Sequence, residues 1–151
     1  MIREDISVKL DQQIAAALRA ISVGSYVFQS SVAAALGLHH SDLLALHAIG
    51  AAGGQLSAGD LSAQLELTRG ATTALIDRLE RLGYVARERD PTDRRKVLLR
   101  ATGESAAKLR GRYRGIDDRI RVLLATRSAA EKTTIARFLA ELVASAKHEK
   151  E

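Results

Sequence analysis

The chain has no cysteine and no tryptophan, one proline, one methionine, three tyrosines and two phenylalanines in 151 residues. Without cysteine there is no disulfide, no thiolate-held zinc, no cysteine nucleophile and no thiol redox sensor. A single methionine, Met1, leaves little for sensing by sulfoxide formation. Aromatics at 3% are too few for reading single strands by base stacking. One proline suits a mainly helical chain, since proline interrupts helices and central strands. Catalytic signatures are missing too. There is no Gly-x-Ser-x-Gly, phosphate-binding loop, dinucleotide fingerprint or His-Glu-x-x-His. The four histidines are scattered, so an enzyme is not expected and no cofactor is implied.

What is present is an ordinary apolar share of 46% with 27% charged residues, enough to bury one core. The net charge of +5 is unevenly spread. Residues 1–67 carry 3 basic and 6 acidic groups, residues 68–100 carry 9 and 5, and residues 101–151 carry 11 and 7. A basic middle after an acidic start fits a polyanionic partner or a solvated charged face. From Ala20 to Ser41 there is no formal charge, yet Ser22, Gly24, Ser25, Gln29, Ser30, Ser31, His39 and His40 make this run too polar to span a bilayer. It reads as a helix buried between protein surfaces. The charged start, Met1 to Asp11, predicts no export signal and a cytoplasmic location.

Apolar residues Leu10, Ile14, Leu18, Ile21, Phe28, Val32 and Leu36 predict a helix over 8–36, with a possible bend at Gly24-Ser25. At roughly 43 Å it exceeds what one small domain covers, so part of it should pack on a second subunit. Gly37 stops it, and Ser41 is a plausible cap for a helix over Asp42–Ala52. Gly53-Gly54 is a turn. Ser57-Ala-Gly-Asp60 is a capping-box variant opening a short helix, and Thr68 caps another that runs to about Leu82 before Gly83. The inner face of that helix is expected at Ala71, Leu75, Leu79 and Leu82, with Ala74 core-side as well. Tyr84–Glu88 and Val97–Ala101 read as a β-hairpin with the basic tip Arg89-Asp-Pro-Thr-Asp-Arg-Arg-Lys96. Thr102 opens a helix to about Thr126, and Ser128-Ala-Ala-Glu131 boxes the last one, to about Lys147. The expected fold is mostly α with a small β-wing. Residues 1–36 form an N-terminal dimerisation helix, 37–101 a winged helix-turn-helix lobe, and 102–151 C-terminal dimerisation helices.

The run Leu67-Thr-Arg-Gly-Ala-Thr-Thr-Ala-Leu-Ile-Asp-Arg-Leu-Glu-Arg-Leu-Gly83, followed by Arg89-Asp-Pro-Thr-Asp-Arg-Arg95, resembles the MarR family of bacterial transcriptional regulators. The flanking long helices match that family's dimerisation arms, so the resemblance covers nearly the whole chain. The residues support it independently. A recognition helix offers its N-terminal residues to the major groove, here Thr68, Arg69, Gly70, Thr72 and Thr73. Arg69 can take guanine O6 and N7, and the threonines can bond bases or phosphates or touch thymine methyls. Gly70 leaves no bulk between backbone and DNA. Thr72 is also open to half-buried packing, and Arg78 and Arg81 to phosphate contact or plain solvation. Arg89, Arg94, Arg95 and Lys96 crowd the wing, where arginine suits a narrow minor groove. Asp90 and Asp93 can orient those arginine forks. Ser57 is a weaker phosphate contact. The resemblance implies that Arg94 inserts in the minor groove and that Asp90 helps hold the wing.

It also implies a homodimer on an inverted-repeat operator of double-stranded DNA, more often as repressor than activator. A small amphipathic or phenolic effector would bind between the arms and the lobe, with Tyr26, His39, His40, His47 and Tyr113 as lining residues. Some family members respond to zinc. Here no histidine pair sits at i, i+4, and no metal site is expected. The competing reading of the same pattern is a helical protein–protein adaptor, without DNA binding, that docks through the basic hairpin tip.

Overall fold

The computed structural model describes residues 2–93 and 96–148, with side chains over 6–93 and 96–145. The chain divides into two compact units, Met1–Lys108 and Leu109–Glu151. In the first, α1 (Ile2–Ala35) and α2 (His40–Ala51) precede a two-residue strand β1 (Leu56–Ser57). Then come α3 (Ala58–Leu65), α4 (Arg69–Arg81), β2 (Val85–Arg89), β3 (Val97–Ala101) and the start of α5 (Gly103–Ala125). The second unit holds the rest of α5 and α6 (Ala129–His148). The strands form one antiparallel sheet in the order β1-β3-β2, with Val85 opposite Ala101 and Arg89 opposite Val97. This is the expected mostly helical chain with a small β-wing.

The local rules act as the composition predicts. Gly37, with φ +68, ends the chain's first helical segment, and Gly83, with φ +75, follows α4. Both need the left-handed region that glycine reaches without strain. At Ser57 the capping box closes: the Asp60 N–H donates to Ser57 Oγ at 3.2 Å and the Ser57 N–H to Asp60 Oδ2 at 2.9 Å. Thr68 Oγ1 accepts from the Ala71 N–H at 3.2 Å. Ser128 and Glu131 box α6 in the same way.

Several expectations need correction. α1 starts at Ile2 rather than residue 8, and Gly24-Ser25 does not interrupt it. α2 is capped two residues earlier than Ser41 suggested: at the N-cap, the His39 N–H donates to Asp42 Oδ2 at 2.9 Å, making Asp42 the acceptor at the third helical position. β1 has no signal of its own. It pairs Leu56 with Leu99 and Ser57 with Leu98 only because β3 lies beside it. The buried face of α4 is Thr72, Leu75, Ile76 and Leu79, whereas Ala71, Ala74 and Leu82 are exposed. At about 100° per residue those four share an arc of about 100°, and Ala71 and Leu82 fall beyond its edge.

The core of the first unit joins the C-terminal end of α1 (Val32, Ala33) to Leu43, Leu46 and Ile49 of α2. Leu61 of α3, the α4 face, and Val85, Leu98 and Leu99 of the sheet complete it. Each fully buried Leu or Ile contributes about 1.5–3 kcal/mol, so the lobe draws its stability from within itself. The Tyr84 hydroxyl donates to the Leu36 carbonyl at 3.2 Å, and the Ser105 hydroxyl to the Tyr84 carbonyl at 2.9 Å. Those bonds seat the end of α1 and the first turn of α5 on the same tyrosine. Among the described residues, no single helix is long and apolar enough to cross a membrane.

Candidate nucleic-acid interface

The helix pair α3–α4, the turn between them, and the β2–β3 hairpin bring one group of side chains to a common surface. At the start of α4, Thr68, Arg69, Gly70 and Thr73 are exposed. Arg69 makes no ion pair among the described residues, so its guanidinium is not neutralised there. A Cβ added at Gly70 would meet nothing within 4 Å, which makes its exposure a property of the surface and not of internal crowding. The Thr73 hydroxyl donates to the Arg69 carbonyl at 2.9 Å. A cleft of about 780 Å³ runs beside these residues, lined by Ala58, Gly59, Ser62, Ala63, Glu66, Leu67, Arg69, Thr72 and Thr73.

Three of the expected DNA contacts are placed elsewhere. Thr72 is 2% exposed and its hydroxyl donates to the Thr68 carbonyl at 3.0 Å, so it packs in the core, where a groove cannot reach it. The Ser57 hydroxyl gives its one proton to the Asp60 carboxylate at 2.6 Å, a charge-assisted bond that leaves no donor for a phosphate. Hydrogen bonds from Ser57 hold the Asp60 carboxyl below its usual range. Arg78 turns inward to Asp42: its Nε lies 3.1 and 3.0 Å from the two carboxylate oxygens, and Nη2 also bonds Oδ1. Asp42 is fully buried. Removing a carboxylate from water is costly unless a cation and hydrogen bonds replace the lost hydration, and Arg78 supplies both. The spacing rule could not see this, because the partners lie 36 residues apart. The available signal was the solitary charge of Asp42 between residues 20 and 59.

At the wing, Asp90 organises the tip. Its Oδ1 accepts from the Thr92 N–H at 2.7 Å, the Thr92 hydroxyl at 2.6 Å and the Asp93 N–H at 3.2 Å. The Thr92 and Asp93 bonds hold its carboxyl below the usual range. The Asp90 N–H donates to the Lys96 carbonyl and the Lys96 N–H to the Asp93 carbonyl, closing the loop. Arg89 and Lys96 are exposed. Lys96 and Asp90 share a cleft of about 540 Å³ with Asp60 and the start of α3. Arg94 and Arg95 lie outside the described residues. Behind the wing, Arg87 of β2, which sequence reasoning did not single out, bonds Asp77 at 2.6 Å and Glu80, both on α4. It neutralises acidic groups carried by the same helix that presents Arg69.

The residues expected to line an effector site divide between the units. Tyr26, His39, His40 and His47 lie in the first and Tyr113 in the second. The Tyr26 and His40 rings are 5.0 Å apart and tilted by 53°. His40 Nδ1 is out of solvent, with no hydrogen-bond partner among the described residues. His39 and His47 are exposed. Tyr113 is half-buried, and desolvation raises its phenol above the usual value. Among the described residues no three of His, Asp and Glu gather where a metal ion could be held.

Comparison with known proteins agrees with this geometry. Residues 36–96 match the model of the MarR family. The chain is 34% identical over 110 residues to the uncharacterized HTH-type transcriptional regulator YcgE of Bacillus subtilis (strain 168), spanning 73% of this chain and 71% of that one. The solved transcriptional regulator Tm0710 from Thermotoga maritima shares 25% identity, with a TM-score of 0.64 over 91% of this chain and 96% of that one. The S. aureus MepR–DNA complex, at 19% identity, shares the fold with a TM-score of 0.58 over 84% and 95%. The α3–α4 pair, the exposed start of α4 and the hairpin are thus those of a winged helix-turn-helix, and the chain belongs to the MarR family of DNA-binding transcriptional regulators.

Proposed function

We propose that this chain is a cytoplasmic repressor that binds an inverted-repeat operator as a homodimer and is released by a small amphipathic ligand, acting by binding and not by catalysis. One observation carries the reading. The first turn of α4 presents Thr68, Arg69, Gly70 and Thr73 to solvent, while the adjoining face of the helix is core. That turn enters the major groove, with Arg69 on a guanine edge. The wing, carrying Arg89, Arg94, Arg95 and Lys96, follows the backbone into the adjacent minor groove, and Asp90 and Asp93 shape its tip. The fold shared with MepR, which was solved on DNA, supports this placement.

Gly70→Ala tests it. The new methyl meets nothing in the protein and removes a glycine from a helix, which should stabilise the chain by up to about 1 kcal/mol. The expected result is a higher melting temperature together with several-fold weaker operator binding in a mobility shift. Unchanged binding would remove Gly70 from the DNA surface.

Two copies related by a twofold axis would read half-sites roughly 34 Å apart. The arms supply the apolar surface: Leu10, Ile14 and Ile21 on α1, Ile120 and Leu123 on α5, and Phe138 and Leu142 on α6 are all at least 39% exposed. Exposed apolar faces of this kind ask for a partner. Light scattering at micromolar concentration is expected to give twice the chain mass, and a monomer would overturn the dimer. The effector would satisfy His40 Nδ1 beside the Tyr26 ring, which suits a phenol that can both stack and hydrogen-bond. His39 and His47 are the further candidates within the same unit. By favouring a spacing of the two lobes that DNA does not accept, the ligand would shift the population away from the bound form.

A further inference from the structure

The face that seats α4 (Thr72, Leu75, Ile76, Leu79) is largely apolar. Apolar burial is non-directional: it holds a helix down but resists a small roll or slide weakly. Among the described residues two contacts to α4 are of another kind: Arg87 of β2 bonds Asp77 and Glu80 at the surface, where an ion pair holds little, and Arg78 bonds the buried Asp42. Arg78 meets Asp42 with Nε and Nη2, and a guanidinium fork accepts a carboxylate in one planar orientation. The carboxylate is itself fixed, because Oδ2 also accepts from the His39 N–H that opens α2. Both ends of the fork are therefore anchored, one at the N-terminus of α2 and the other on α4.

The position of that anchor matters for reading DNA. Arg78 lies five residues beyond Thr73 and nine beyond Arg69 on one continuous helix, about 7.5 and 13.5 Å along its axis. Over that length the helix moves as a rod, so a slip at Arg78 displaces Arg69 by a similar amount. Hydrogen bonds to base edges tolerate only a few tenths of an ångström. The Arg78 charge is also matched by a carboxylate it touches, and its side chain is only 32% exposed. A phosphate approaching it would meet a neutral pair.

We propose that the Asp42–Arg78 pair is a positioning device for operator recognition: Arg78 does not bind DNA but fixes the roll and axial register of α4, and through them the base preference of Arg69 and Thr73. This rests on the reading above that the start of α4 meets the operator.

The test compares Arg78→Lys, Arg78→Met and Asp42→Asn with the wild-type protein. The duplex is the one that the wild type enriches from a randomised pool, the competitor is a scrambled duplex of equal composition, and both are titrated by fluorescence anisotropy at several salt concentrations. Lysine serves a phosphate as a point charge but cannot make the two-point fork. Arg78→Lys is therefore expected to lower the preference for the selected duplex by about tenfold, equivalent to about 1.4 kcal/mol. Affinity for the scrambled duplex and the salt slope should stay unchanged. Asp42→Asn, changed at a side chain sealed inside the lobe, should reproduce that loss, and melting curves establish which variants are folded at the assay temperature. The proposal is overturned if Arg78→Lys keeps the wild-type preference, or if Arg78→Met weakens both duplexes alike and lowers the salt slope by about one per subunit, as a lost phosphate contact would. A wild-type protein that enriches no duplex at all would instead overturn the operator reading itself.

Discussion

Leu75→Asp is expected to leave the lobe unfolded. Leu75 is 3% exposed on the face that α4 turns to the core. The substitution removes a buried side chain worth about 1.5–3 kcal/mol and puts in its place a carboxylate with no cation assigned to it. Burying an unpaired charge adds several kcal/mol more, against a total stability of about 5–15 kcal/mol for an ordinary domain. Far-UV circular dichroism should show the loss directly, and no cooperative melt should remain for the lobe. Leu82→Asp is the matched control. Leu82 is 48% exposed, so a surface carboxylate there should shift the melt little. If Leu75→Asp melts like the wild type, or if Leu82→Asp is the destabilising member of the pair, the face of α4 has been assigned the wrong way round.

That control bears on what the sequence could reveal. Periodicity found α4 and its ends, because Thr68 and Gly83 act through backbone geometry within a few residues of themselves. It placed Leu75 and Leu79 inside and left Thr72 open to packing, but drew in Ala71, Ala74 and Leu82 and passed over Ile76. A stripe of apolar letters at spacings of four and three does not fix the rotation of the helix. Which side turns inward is set by the surface underneath, built by α2, α3 and β2, and the finer roll by the fork between Arg78 and Asp42. Thr72 shows why residue type misleads here: a threonine can be buried once its hydroxyl bonds back to the carbonyl four residues earlier. The short strand β1 was invisible for a related reason. Two residues carry no alternation, and Leu56-Ser57 becomes a strand only beside β3.

The candidate interface was legible to the same degree and failed in the same way. Arg69, Gly70 and Thr73 were placed on the surface by their position in the first turn of a capped helix, and that is where they lie. Arg78 was read from its own helix as a free cation, whereas its partner sits on α2. Asp42 was the only charge in a stretch of forty residues, and a charge kept inside an apolar block implies a counter-charge from elsewhere. The identity of that counter-charge is a tertiary fact. Ser57 is the converse. Its box with Asp60 was visible in sequence, and the box is what uses up the hydroxyl proton once assigned to a phosphate.

Operator affinity should fall by about 10³-fold between 50 and 200 mM salt, if the dimer neutralises about six phosphates and releases their counterions. An adaptor docking its basic hairpin tip on a protein surface would change far less over that range, because it releases no condensed counterions. Within this steep dependence Arg69→Ala has a separate signature. Arg69 is exposed on the first turn of α4 and has no ion pair among the described residues, so its donors are available to a base. Losing a guanine contact costs about 1–3 kcal/mol per half-site and relaxes preference at that one position. The salt slope should barely move, because a base edge carries no condensed counterion. A residue on the phosphates would do the reverse, lowering affinity for every sequence and flattening the slope. Titrating wild type and Arg69→Ala against the operator and its single-base variants, each at four salt concentrations, separates the two. An Arg69→Ala protein with the wild-type affinity and base preference would remove the start of α4 from the major groove, whatever the rest of the interface does.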